Sequence, residues 1–144
     1  MILDCDPGVD DAMAIITAAR WADLVGITTV AGNVELEHTT ANACRIRELL
    51  GLDVEIHAGA SSPLVGAQEF AHEVHGATGL GDLVLPEPNR SANSNNAVEW
   101  LVETTRSEEG IYLVPVGPLT NVALALRADP DLSLIHISEP TRPY

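Results

Sequence analysis

Four aspartates, Asp4, Asp6, Asp10 and Asp11, fall within eight residues of the opening stretch MILDCDPGVDDAMAI. Residues two apart on a strand share a face, so Asp4 and Asp6 are predicted to point the same way, about 6–7 Å apart. Pro7 and Gly8 then turn the chain, which places Asp10 and Asp11 in the first turn of a helix. One acid there has an ordinary explanation, because free N–H groups and the helix dipole stabilise it by about 0.3–1 kcal/mol. Asp4 and Asp6 have no such explanation. Two unit charges 4 Å apart repel by roughly 4 kcal/mol at an effective dielectric near 20. Either some of these carboxyls hold a proton or a cation sits among them. Ligands that are all oxygen suit a hard ion such as Ca²⁺ or Mg²⁺ rather than zinc.

The elements that must position these acids alternate along the chain. Short β-branched runs are predicted as strands over Met1–Cys5, Val25–Ala31, Val54–Gly59 and Ile111–Val116. Segments rich in Ala and Leu are predicted as helices over Asp10–Trp21, Glu37–Leu50, Asn96–Ser107 and Leu119–Arg127. Ser61–Asn95 carries many Gly, Pro and Ser residues and reads as loop with short elements. Strands alternating with helices imply βαβ units, hence an α/β, Rossmann-like, mostly parallel sheet flanked by helices. Such sheets bind ligands beyond the carboxyl ends of their strands. Asp6 ends the first strand, Gly32-Asn33 follows the second, and Val116-Gly117 ends the fourth. A carboxylate, a side-chain amide and a backbone carbonyl therefore meet at one sheet edge.

Composition narrows the partners. Seven Arg and no Lys face 21 Asp and Glu, giving a net charge of -14. Nucleic acids and anionic membranes are bound through clustered Lys and Arg, so neither is an expected partner. No apolar run approaches the roughly 20 residues that span a bilayer, and no leader pattern precedes the first strand. A cytoplasmic protein is expected, with Cys5 and Cys44 as buried thiols rather than a disulfide.

Other motifs carry less. His72-Glu-Val-His75 has its histidines three apart, whereas the helical zinc motif spaces them by four. GATGLG is no phosphate-binding P-loop, since no Gly-Lys-Ser/Thr follows. His38 and His57 read as structural.

DCDPGVDDAMAI, TTVAGNV and LVPVGPLTNVALAL, with HGATGLG between them, resemble the inosine/uridine-preferring nucleoside hydrolases in order and spacing through about Leu132. The resemblance implies calcium-dependent hydrolysis of the N-glycosidic bond of ribonucleosides, giving ribose and free base. It implies that Asp6 is a calcium ligand and the base that takes a proton from the metal-bound water. Asp11 and the Val116 carbonyl would complete this chain's share of the calcium shell. Asp10 would hydrogen-bond a ribose hydroxyl, Asn33 would lie beside the ribose, His75 would stand on the substrate side, and Asp4 would support the others from behind. An oxocarbenium-like sugar is stabilised by such an anionic pocket. Intact relatives are expected to be homo-oligomers.

The family's later ribose-binding segment and its late His-Asp pair have no counterpart here. Residues 1–132 are therefore expected to form the N-terminal portion of a truncated nucleoside hydrolase fold, and 133–144 a non-native tail. Little or no turnover is expected of this chain alone. Two other readings compete: an inert or merely metal-binding fragment, and an aspartate-dependent phosphohydrolase using the Asp4-Cys-Asp6 motif.

Overall fold

The computed structural model describes residues 1–134 and 136–137. Five parallel strands form one sheet in the order β3-β2-β1-β4-β5. They are β1 Ile2–Cys5, β2 Gly26–Thr29, β3 Glu55–Ala58, β4 Tyr112–Pro115 and β5 His136–Ile137. Helices α1 Val9–Trp21 and α2 Leu36–Leu49 connect β1 to β2 to β3. The chain then returns across the sheet through a long loop, the single turn α3 His72–His75, and helix α4 Ala97–Ser107. Helix α5 Thr120–Ala128 and a 3-10 turn over Pro130–Leu134 follow β4. Strand order thus reverses between β1 and β4, the place where an open parallel sheet leaves a crevice.

Strand alternation explains the two cores. Leu3, Cys5, Ile27 and Ile56 pack with Ile15 of α1 and Ala43 and Ile46 of α2. Ile2 and Leu113 pack the other way, with Leu101 of α4 and Val122 and Ala125 of α5. Asp4 shares its face with Ile2, so it is driven into the α5 layer and is fully buried. Both cysteines are buried free thiols, as expected. No helix among the described residues is long and apolar enough to cross a membrane.

The expected elements are all present, with strands shorter than read from sequence. Val30 and Ala31 are buried beyond the end of β2, and their N–H groups still donate to the Cys5 and Ala60 carbonyls at 3.0 and 2.9 Å before the turn at Gly32. The long loop is partly ordered by polar ties. Buried Arg47 donates to the carbonyls of Arg90 and Ser91 at 2.6 and 3.1 Å, and Asn93 and Ser94 pair with the β3 edge. Within the segment expected to be a foreign tail, His136–Ile137 pair with Tyr112–Leu113. The remainder of that segment, apart from residues 133 and 134 in the 3-10 turn, lies outside the described residues.

Candidate active site

Asp6 leaves the end of β1 and lies in a cleft of about 750 Å³ with Asp10, Asp11, Asn33 and the Val116–Thr120 turn. It fits because two neighbours lack side chains. A Cβ on Gly32 would stand 2.1 Å from Asp6 Oδ2, and one on Gly117 would stand 2.6 Å from Oδ1. The Asn33 N–H donates to Asp6 Oδ2 at 2.7 Å. Asn33 Nδ2 donates to the Asp6 carbonyl at 3.0 Å and to Asp11 Oδ2 at 3.3 Å, so one amide spans both acids.

Asp11 is only 4% exposed, and its Oδ1 is buried with no hydrogen-bond partner among the described residues. Burial, with the charges of Asp6 and Asp10 added, pushes its carboxyl up to about 7. Burial likewise raises Asp6 to about 6, against the hydrogen bond from the Asn33 backbone. Holding both ionised in the same wall is costly without a counter-charge. The donor set fits a hard cation: two carboxylates, one with an unused buried oxygen, and backbone carbonyls at the Val116 turn.

Asp4 stands behind the cleft rather than in it. Its Oδ1 accepts from Thr28 Oγ1 at 2.6 Å and from Asn121 Nδ2 at 2.8 Å, and burial raises its carboxyl to about 6. The Asp4 carbonyl accepts the Val116 N–H at 2.8 Å, which ties the Val116 turn to β1. A phosphohydrolase would need Asp4 as an accessible nucleophile, and a fully buried, doubly bonded carboxylate is not one.

The structure thus divides the expected four-acid cluster. β1 ends at Cys5 and α1 begins at Val9, and successive helical residues diverge by about 100°. Asp11 therefore turns inward while the Asp10 side chain remains 79% exposed at the rim. Among the described residues no three His, Cys, Asp or Glu side chains converge as a metal-holding group. His75 is not in the cleft wall: its Nδ1 accepts the Val9 N–H at 3.4 Å and lies 4.0 Å from Asp10 Oδ1. His72, the other member of the paired-histidine stretch, turns away to Glu35 at 3.5 Å.

Sequence reasoning missed Asn121 and Asn42. Asn121 is fully buried, donates to Asp4 and to the Thr29 carbonyl, and accepts the Ala60 N–H. Its signal was available: it sits beside Val122 and Ala125 on the inward stripe of α5. Asn42 falls in the same way on the Thr39, Ala43, Ile46 stripe of α2.

Residues 1–138 match the family described as inosine-uridine preferring nucleoside hydrolase. The chain belongs to that family. It is 44% identical over 133 residues to the pyrimidine-specific ribonucleoside hydrolase RihB of Escherichia coli K12, covering 90% of this chain and 42% of RihB. It superposes on the purine-preferring ribonucleoside hydrolase from Gardnerella vaginalis with a TM-score of 0.90 and 34% identity, over 96% of this chain and 47% of that one. An inosine-guanosine nucleoside hydrolase follows at 0.84 and 34%, covering 96% of this chain and 48% of its own. The chain therefore spans less than half the length of these nucleoside hydrolases. Their names divide between pyrimidine and purine substrates, so family membership alone leaves the base open.

Proposed function

We propose that this chain supplies the calcium- and ribose-binding half of a ribonucleoside hydrolase, which cleaves the N-glycosidic bond to release ribose and free base. One observation carries the reading: Asp6 and Asp11 share a buried cleft wall, and Asp11 Oδ1 has no protein partner there among the described residues. Asp6, Asp11 and the Val116 carbonyl are the residues that would hold Ca²⁺. The ion, when bound, would acidify a water and fix the sugar diol.

The chain's own groups do the rest. Asp10, exposed at the rim, would accept a hydrogen bond from a ribose hydroxyl. Asn33 fixes the two buried carboxylates and stands beside the sugar. Cleavage sends the C1′–N electron pair to the base, whose nitrogen takes up a proton from solvent, and forms a C1′–O bond with water, whose proton Asp6 accepts. Even without a bound cation, where burial raises its carboxyl to about 6, Asp6 is mostly ionised at neutral pH. The carboxylate-lined wall favours the positive charge that builds on the sugar as the base departs.

The test is calorimetric titration of Ca²⁺ into the chain, paired with Asp6→Asn and Asp11→Asn. One site is expected in the unsubstituted chain and none in either variant. Absence of calcium uptake by the unsubstituted chain, or uptake unchanged in both variants, overturns the metal site. Release of base from nucleosides, if measurable, should vanish with chelator, and release that survives chelation refutes the calcium dependence.

A further inference from the structure

The turn between β1 and α1 leads to every cleft aspartate, yet α1 opens without a side-chain cap, because Gly8 stands at its N-terminal boundary. The acceptor comes instead from 66 residues away, where His75 Nδ1 receives the Val9 N–H at 3.4 Å. The imidazole rests on the glycine backbone: a Cβ on Gly8 would lie 2.5 Å from His75 Nδ1 and 2.8 Å from Asn33 Nδ2. A second tie runs through α2. Buried Asn42 donates from Nδ2 to the Pro7 carbonyl at 3.0 Å and to the Thr78 carbonyl at 2.7 Å, so one amide joins the aspartate turn to the loop following α3. That loop closes on itself where the Gly81 N–H donates to the His75 carbonyl at 2.7 Å. Gly79, at φ +95°, packs so closely that a Cβ would stand 2.9 Å from Asn42 Nδ2 and 3.1 Å from the Pro7 carbonyl oxygen.

We propose that the His75–Gly81 loop braces the aspartate turn, with His75 and Asn42 as positioning residues. His75 caps α1 through Nδ1, Asn42 fastens Pro7 to Thr78, and together they set where Asp10 and Asp11 stand relative to Asp6. The inference rests on the reading of the cleft as a calcium and ribose site. It assigns His75 a different task from substrate contact: the ring acts through the backbone it holds.

The two tasks use different ring nitrogens, which makes them separable. Asparagine places an acceptor oxygen where Nδ1 stood, whereas glutamine reaches to the Nε2 position. Calcium titration is therefore run on His75→Ala, His75→Asn and His75→Gln. Loss of a helix cap of ordinary size weakens calcium binding about fivefold in His75→Ala. His75→Asn should restore affinity to within about twofold and His75→Gln should not. The reverse ranking, with Gln restoring and Asn not, overturns the brace, and so does equal affinity in all three. A second readout survives failure of the calcium reading. If the unsubstituted chain takes up no calcium, amide hydrogen exchange at Val9 still decides: it should quicken about fivefold in His75→Ala and recover in His75→Asn. Exchange at Val9 that is the same in all variants refutes the proposal.

Discussion

Asn121→Ala is the substitution that most directly tests how the cleft is assembled. The Asn121 amide donates to Asp4 Oδ1 at 2.8 Å and to the Thr29 carbonyl at 2.9 Å, and its oxygen accepts the Ala60 N–H at 2.8 Å. It thereby joins α5 to β1, to the end of β2 and to the loop after β3. Alanine strands three partners at once, two of them in a fully buried setting. Each buried polar group left without its partner costs about 1–3 kcal/mol. Because the three share one space and water can enter part of it, a total of about 3–5 kcal/mol is expected. Domains carry about 5–15 kcal/mol in all, so about a fifth or more of the stability is at stake. With a urea slope of about 2 kcal/mol/M, the unfolding midpoint followed by circular dichroism should fall by about 2 M. Asn121→Asp keeps the volume and the acceptor for Ala60 but replaces the donors with a carboxylate facing Asp4, and should cost at least as much. A midpoint shift below about 0.5 M in both variants would refute the view that this amide holds the site together.

Other outcomes follow from the same contacts. Gly32→Ala forces a methyl to within 2.1 Å of Asp6 Oδ2 and 2.7 Å of Pro118 Cγ, so calcium affinity by calorimetry should drop at least tenfold through displacement of Asp6. Arg47→Met removes a buried guanidinium that donates to the Arg90 and Ser91 carbonyls, and should destabilise by about 2–4 kcal/mol in urea unfolding. Burial lowers the His57 pKa below its ordinary value of 6.5, partly offset by Glu55. The unfolded chain then binds the proton first as pH falls, so this residue's contribution to stability declines from about pH 7 toward pH 5. His57→Gln should flatten that part of the stability profile, and an unchanged slope would refute the assignment.

The alternation of elements was legible because burial imposes it: the first four strands are mostly buried and centred on aliphatic residues such as Leu3, Ile27, Ile56 and Leu113, and the longer helices carry a stripe. That Asp6, Asn33 and Val116 lie together was legible because strand ends in a parallel sheet converge at one edge. The glycines that make room for them left a trace too, with Gly8, Gly32, Gly59 and Gly117 each soon after the end of one of the first four strands. What spacing could not give was direction. Asp10 and Asp11 are adjacent in sequence and differ in placement, because one helical step carries a side chain from the cleft wall to the rim. Asp4 and Asp6 are on one strand face in principle, yet α5 covers the first and two glycines open a slot for the second. His75 showed a chemistry-bearing residue type near the site, but only the fold reveals that it meets Val9 and Gly8.

These separations bear on why the N-terminal segment is so acidic. Burial raises the carboxyls of Asp4, Asp6 and Asp11 above their ordinary range, to about 6, 6 and 7. A chain selected for stability alone would lose nothing by placing asparagine at the latter two, since Asn33 already supplies hydrogen bonds that an amide oxygen could accept. Asp4 is different, because Thr28 and Asn121 both donate to it and satisfy one of its oxygens. Among the described residues two buried carboxyl oxygens lack a hydrogen-bond partner, Asp4 Oδ2 and Asp11 Oδ1, and of these two acids only Asp11 lines the cleft. The divalent cation proposed above, facing the Val116 turn, would supply a counter-charge at Asp11. The amides Asn33, Asn42 and Asn121 share one physical property: each carries no charge of its own, and each holds a backbone carbonyl or a carboxylate of the aspartate segment in place.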